Sequence, residues 1–301
     1  MIPTINEAYH NVCRYKLPIC TGYSFVQNQC KFLKNRHSVL FVLIFLLSAI
    51  LFPNQTDAQS WIKIDKVTIN TDTTGNPPSQ PGSYFGQSVS MDGDYSVIGV
   101  PGGDQSKGIA HVYYFDGTSW IKQAELTASD RANNDEFGYS VSISGDYIVV
   151  GAPFEDANGS NSGSAYVFTK PGGGWTDMTE TGKLTASDGS ASDNFGTSVA
   201  ISGNHIVIGS PYDDDCGTDS GSAYVFTQPG GGWGDMTETI KLKASDCSAG
   251  DNFGFAVGIS GTGIIIGAHN DDDNGTDSGS AYVFTESGGV WGSNQTAKLT
   301  A

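Results

Sequence analysis

A six-residue string, Gly-Ser-Ala-Tyr-Val-Phe, occupies residues 163–168 and returns unchanged at 221–226 and at 279–284. The period is 58 residues each time. A looser copy, Gly108-Ile-Ala-His-Val-Tyr113, begins 55 residues before the first. A fixed period of this length restricts the fold to a repeat architecture, in which each unit completes its core against its neighbours.

The unit opening at Phe137 reads as four strands. Val141 and Ile143 alternate with Ser140 and Ser142, the pattern of a strand with one polar-tolerant face. Ser144-Gly145-Asp146 is a tight turn. Residues 147–150 are continuously apolar, as in a strand covered on both faces. Pro153 ends that run, because proline cannot donate to a ladder. A polar loop over 154–162 leads into the repeated strand at 163–168, and 171–174 turns the chain. A fourth, more polar strand is expected within 175–185. Four meandering strands per unit, with no helical periodicity, describe an all-β chain built of four-stranded antiparallel propeller blades. Ala165, Ala223 and Ala281 suit an innermost strand, where blades crowd together. Trp120, Trp175, Trp233 and Trp291 each open an outer strand and are expected to wedge against the next blade.

Two short signatures keep the same register. A Phe-Gly pair opens each unit, at Phe85-Gly86, Phe137-Gly138, Phe195-Gly196 and Phe253-Gly254. A Gly-x-Pro or its relic follows, at Gly99-Val-Pro101, Gly151-Ala-Pro153, Gly209-Ser-Pro211 and Gly267-Ala-His269. Over residues 61–301 the chain therefore resembles the FG-GAP repeat of integrin alpha-subunit heads and of many bacterial surface proteins. The resemblance implies a β-propeller. Integrin-like heads have seven blades, so the four units starting near 85, 137, 195 and 253 are expected to be a fragment of a larger array. Residues 61–67 (Trp-Ile-Lys-Ile-Asp-Lys-Val) repeat the pattern of 120–126 and add an outer strand before the first unit. In integrin heads a calcium loop joins the first two strands of a blade. Here those hairpins (Asp92-Gly93-Asp94, Ser144-Gly145-Asp146, Ser202-Gly203-Asn204 and 260–263) are too short and too weakly acidic, so the integrin ligands do not transfer.

Residues 1–59 stand outside the repeat. The apolar run at 39–52 follows Lys31, Lys34 and Arg36 and precedes a polar stretch, the order of a secretory signal peptide or a signal anchor. Its length favours a removable signal over a membrane span, so no stable membrane insertion is expected once the leader is gone. Five of the 15 Lys+Arg and two of the 32 Asp+Glu lie in this leader, which leaves residues 60–301 with a net charge of −20. So acidic a surface repels nucleic acid and anionic lipid.

No catalytic set repeats or converges in the sequence, so the chain reads as a non-enzyme, secreted or held at the cell surface. The first reading is a binding or adhesion module that takes a protein or glycan ligand. The alternatives are a structural spacer in a larger surface protein and the scaffold of an extracellular enzyme acting on polysaccharide. Acid concentrates in the loop between the second and third strands. Asp213, Asp215 and Asp219, and likewise Asp271, Asp273 and Asp277, offer alternating oxygens around a glycine, the donors a calcium ion prefers. Solvated carboxylates and Asx-turns account for the same residues without an ion. Strand parity places the loops between blades, including Asp188, Asp193, Asp246 and Asp251, on the same face, with the proline- and glycine-rich turns opposite. Cys216 and Cys247 both fall on that acidic face and in one unit only, so an intrachain disulfide is expected.

Overall fold

The computed structural model describes residues 82–300; the leader, its apolar run at 39–52 and the strand expected at 61–67 lie outside them. The described residues form part of one compact unit.

Four antiparallel sheets follow one another along the chain. Blade 1 contains β1 (Val89–Asp92), β2 (Tyr95–Val100), β3 (Ile109–Phe115) and β4 (Trp120–Thr127). Blade 2 contains β5 (Ser140–Ser144), β6 (Tyr147–Ala152) and β7 (Ser164–Thr169). After β7 come a short β8 (Met178–Thr179) and then the outer strand β9 (Gly182–Leu184). Blade 3 is formed by β10 (Ser198–Ser202), β11 (His205–Ser210), β12 (Ser222–Thr227) and β13 (Ile240–Leu242). Blade 4 has β14 (Ala256–Ser260), β15 (Gly263–Ala268), β16 (Ser280–Ser287), β17 (Val290–Trp291) and the outer β18 (Ala297–Thr300). The hairpin between the first two strands turns on a left-handed glycine such as Gly145, at φ +57°, a conformation costly for a residue with a Cβ.

The cores lie between blades. One joins Val97, Val112 and Leu126 of blade 1 to Phe137, Val141, Ile143 and Tyr166 of blade 2. The second joins Val149, Val167 and Leu184 to Phe195, Val199, Ile201 and Tyr224. The third joins Val207, Val225 and Leu242 to Phe253, Ile264 and Tyr282. In blades 2, 3 and 4 the Phe of the Phe-Gly pair meets two rings of its own third strand edge-on, as Phe137 does Tyr166 at 5.5 Å and Phe168 at 5.9 Å.

The glycine signatures meet at the seams. Gly138 N donates to Gly151 O within blade 2 at 3.0 Å. A Cβ on Gly151 would run into the carbonyl of Gly196 in blade 3. Gly99 is closed off in the same way by Gly138, and Gly209 by Gly254. Backbone-to-backbone approach at each seam therefore requires glycine on the Gly-x-Pro side.

Three expectations need correction. The innermost strand is the first of each blade, not the one holding Ala165, Ala223 and Ala281. First strands of neighbouring blades are linked directly, with Val141 N and Ile143 N donating to Ser88 Oγ and Ser90 Oγ. The tryptophans pack on the preceding blade, not the next. Trp175 lies in the core shared with blade 1, Trp233 meets Tyr147 of blade 2, and Trp291 meets His205 of blade 3. The fourth strand of blade 2 lies within 175–185 as expected, but it opens at Gly182 and not at Trp175. The reason for both is the path of the chain. After the 171–174 turn it leaves its own sheet, and β8 pairs in parallel with β4 of blade 1, Leu126 opposite Met178. Leu184 and Met236 repeat this crossing one blade on.

Candidate functional site

In blade 3 the antiparallel register sets Lys241 directly opposite Tyr224. The loop after β11 brings Asp213 and Asp215 to this pair, and the loop entering the blade brings Asp188. Lys241 Nζ lies 2.7 Å from Asp188, 2.9 Å from Asp213 and 2.8 Å from Asp215. It also stands 5.1 Å above the Tyr224 ring. The Tyr224 hydroxyl is 2.9 Å from Asp213 and 3.0 Å from Asp188, and donates to either. Asp213 is buried, and its other oxygen accepts from Ser222 Oγ at 2.9 Å. Burial, reinforced by Asp213 and Asp188, pushes the Tyr224 phenol far up, so it stays protonated. Burial works against the Lys241 charge, but its carboxylate hydrogen bonds outweigh that and raise its pKa.

Blade 4 repeats the arrangement. Tyr282 pairs with Lys298, whose ammonium contacts Asp246 at 2.7 Å, Asp271 at 3.1 Å, and Asp273. In blade 2, Lys183 joins Asp130 at 2.6 Å and Glu155 at 3.0 Å beside Tyr166, while Ala157 stands where the third carboxylate would be. Blade 1 exchanges the partners. His111 replaces the tyrosine and sits opposite Glu125, which replaces the lysine. His111 is 5% exposed, and its Nε2 lies 3.5 Å from Glu125. Contact with His111, against the opposing effect of burial and with help from Lys122, holds the Glu125 carboxyl down at about 2.

The six acids anticipated as ion ligands therefore separate into two roles. Asp213 and Asp215 come together with Asp188, and Asp271 and Asp273 with Asp246, each trio offering oxygens within 4.8 Å of one another. Asp219 and Asp277 stand apart from the trios. Both are left-handed, at φ +56° and +52°, and their N–H groups donate to Asp214 and Asp272. They close the loop rather than line a cage. The trios have the oxygen donors of a calcium site, but a lysine ammonium already occupies the centre of each. An ion could enter only by displacing it. The lysines were the residues that sequence reasoning missed. Their signal was a Lys-Leu pair recurring at 183, 241 and 298, ahead of the repeated Thr-Ala or Lys-Ala.

The two acidic loop sets emerge on one face. Ser192 N donates to Ser160 O at 2.8 Å, Asn194 N to Asn161 O at 3.1 Å and Asn252 N to Asp219 O at 3.1 Å. Cys216 and Cys247 are bonded across the same loops, with Cα atoms 6.0 Å apart. Among the described residues no helix is long and apolar enough to cross a membrane.

Successive four-stranded antiparallel blades, with their cores at the seams, define a β-propeller repeat protein. The FG-GAP repeat model matches residues 79–113, 120–168, 178–226 and 236–284, and the chain belongs to that family. No curated protein matches the sequence. Among solved structures, the WD40 beta propeller domain of Doa1 aligns at a TM-score of 0.39 and 12% identity, over 71% of this chain and 53% of that one. The chain thus spans about half the length of that distant structure.

Proposed function

We propose that the chain is an exported, non-enzymatic binding module that presents its acidic loop face to a protein or glycan. The observation that carries this reading is the fixed convergence of the acidic loops. In three successive blades, the loop between blades and the loop between the second and third strands are tied together by backbone hydrogen bonds and a half-buried lysine. Membership of the FG-GAP family supports a repeat-based binding role. The disulfide between Cys216 and Cys247 fits an oxidising compartment. A partner with a basic surface matches the field of this face, and its affinity should fall as salt rises.

An array of glycans and matrix proteins, probed with the secreted chain in calcium and in chelator, tests the proposal. Salt-sensitive capture, lost when Asp214 and Asp272 are both changed to Asn, is the expected outcome. Capture of nothing would favour a structural spacer, and turnover of a polysaccharide would replace the binding reading with an enzyme.

Calcium dependence is the competing reading of the same trios. In the reading preferred here, Lys241 and Lys298 serve as the resident cations, so calcium leaves the melting temperature unchanged. A rise with calcium that chelator reverses would show that the ion displaces lysine, since a ligand bound to the folded state alone stabilises it.

A further inference from the structure

The seam between blades 3 and 4 differs from the two before it at one exchanged residue. The second strand opens on Tyr95 in blade 1, on Tyr147 in blade 2 and on His205 in blade 3. The tryptophan of the following blade packs there, Trp233 at 6.4 Å from the Tyr147 ring and Trp291 at 5.5 Å from His205. Trp175 and Trp233 bury their indole nitrogens without a hydrogen-bond partner, whereas Trp291 Nε1 donates to His205 Nδ1 at 3.3 Å. The imidazole supplies an acceptor that the tyrosine rings in the same place do not.

Each of these tryptophans sits on an arm that runs from the third strand of its blade to the outer strand. In blades 2 and 3 the arm is stitched to the blade before it. Asp177 Oδ1 accepts from Glu125 N at 2.8 Å, and Met178 pairs with Leu126. One blade on, Asp235 Oδ1 accepts from Lys183 N at 2.9 Å, and Met236 N donates to Lys183 O at 3.1 Å. The arm of blade 4 is one residue shorter between its tryptophan and lysine, and it lacks the Asp-Met pair. Among the described residues its hydrogen bonds to blade 3 and the loop beyond it are two sets. One is Trp291 to His205; the other is Gln295, which exchanges bonds with Ser245. The arm that relies most on its tryptophan is thus the one held by a histidine.

We propose that His205 is a pH-operated latch on the blade 4 arm: the neutral ring holds Trp291, and the protonated ring releases it. Nδ1 accepts from the indole only while it carries no proton, so the ring hydrogen lies on Nε2, 3.8 Å from Glu286 Oε1. Protonation places a second N–H at Nδ1, facing the indole N–H. Thr227 Oγ1, 3.2 Å from Nδ1, is positioned to accept that proton in place of the indole. The neighbouring strands β10 and β12 set the uncharged Ser202 and Thr227 opposite His205. Across the seam, β16 and β17 bring Glu286 and Trp291, and Glu286 is the one charged group among the described residues within ion-pair reach of the ring. Glu286 N donates to Thr262 O at 2.9 Å within blade 4. Its carboxylate therefore attracts the charged ring whether or not the arm is attached, and does not oppose release. The attached arm disfavours a proton that the released arm accepts, so attachment is complete at high pH and is lost as pH falls through the histidine range.

The test is hydrogen exchange of the intact chain at pH 7.5 and pH 5, corrected for the intrinsic pH dependence of exchange. Indole N–H resonances are followed in parallel, with Trp291 assigned through Trp291→Phe. Amides over 288–296 should lose protection at least tenfold on acidification, in step with a shift of the Trp291 indole signal. The Trp233 indole and the blade 3 arm, which lack the histidine, should not respond. His205→Tyr installs the residue of blades 1 and 2 and should abolish the response. Glu286→Gln removes the anion that favours the charged ring, so the transition should move to lower pH; this second variant keeps the test decisive should the first fold poorly. Equal protection of 288–296 at both pH values, the same response in His205→Tyr, or an unmoved transition in Glu286→Gln overturns the proposal.

Discussion

Replacing Lys241 with methionine keeps the apolar stem of the side chain and removes its charge. Asp213, buried and hydrogen-bonded to Tyr224 and Ser222, would lose its counter-ion, while Asp215 would retain Lys243 at 3.4 Å. Stranding one partner of a buried pair costs about 3 kcal/mol, to be read as a lower urea midpoint. The variant also opens the trio to a cation, so calcium should raise its melting temperature and leave the wild type alone. Asp193 argues in the opposite direction. Burial, followed by the charges of Asp213 and Asp214, pushes its carboxyl up to about 6 even though Ser190 N donates to it. A carboxyl raised in the folded state contributes stability that is complete below its unfolded value near 4 and is lost as pH climbs through 6. Asp193→Asn should therefore raise stability by about 2 kcal/mol at pH 7.5, with the gain gone at pH 4. A gain that is the same at both pH values would show that charge is not the cause. At this scale the acids were legible and the lysines were not. A run such as Asp213-Asp214-Asp215 announces itself, whereas the lysine that neutralises it lies 26 residues or more away and meets it only through strand register.

The seam glycines make the element scale testable. Gly151→Ala would drive a methyl into the Gly196 carbonyl and Ser140 Oγ, and overpacking of this kind costs about 1–3 kcal/mol. The same change at Gly172, whose Cβ would meet nothing within 4 Å, should cost far less, and equal losses would dismiss the seam argument. The disulfide belongs to this scale as well. Cys216 and Cys247 close a 31-residue separation, for which the chain-entropy model gives about 3–4 kcal/mol. The double serine variant is expected to lose up to that amount in reversible unfolding. Proximity of the two loops was readable from strand parity, because loops that follow an even number of strands return to one face. The course of the outer strand was not. Residues 175–185 look like one polar strand, yet β8 joins the preceding blade and β9 its own. Nothing in that local pattern distinguishes the two neighbours, since both offer an open sheet edge.

Among the described residues the repeat period set the order of the four blades, because each copy must build the same half-cores. It could not show which side of a blade faces its predecessor, and the tryptophans were accordingly placed on the wrong neighbour. The distribution of cores has a measurable consequence. Among the described residues, blades 2 and 3 are packed on both faces, whereas blades 1 and 4 are packed on one. Local opening is easiest where few apolar contacts must be broken. Hydrogen exchange should therefore be slowest at Val149, Ile206, Val207 and Ile208, whose side chains are fully buried. The amides of β15 and β18 in blade 4 should exchange at least tenfold faster, opening as a unit without the rest. Uniform exchange over all four blades would mean that the seams do not set the cooperative units. The stability of the chain would then have to come from within each sheet.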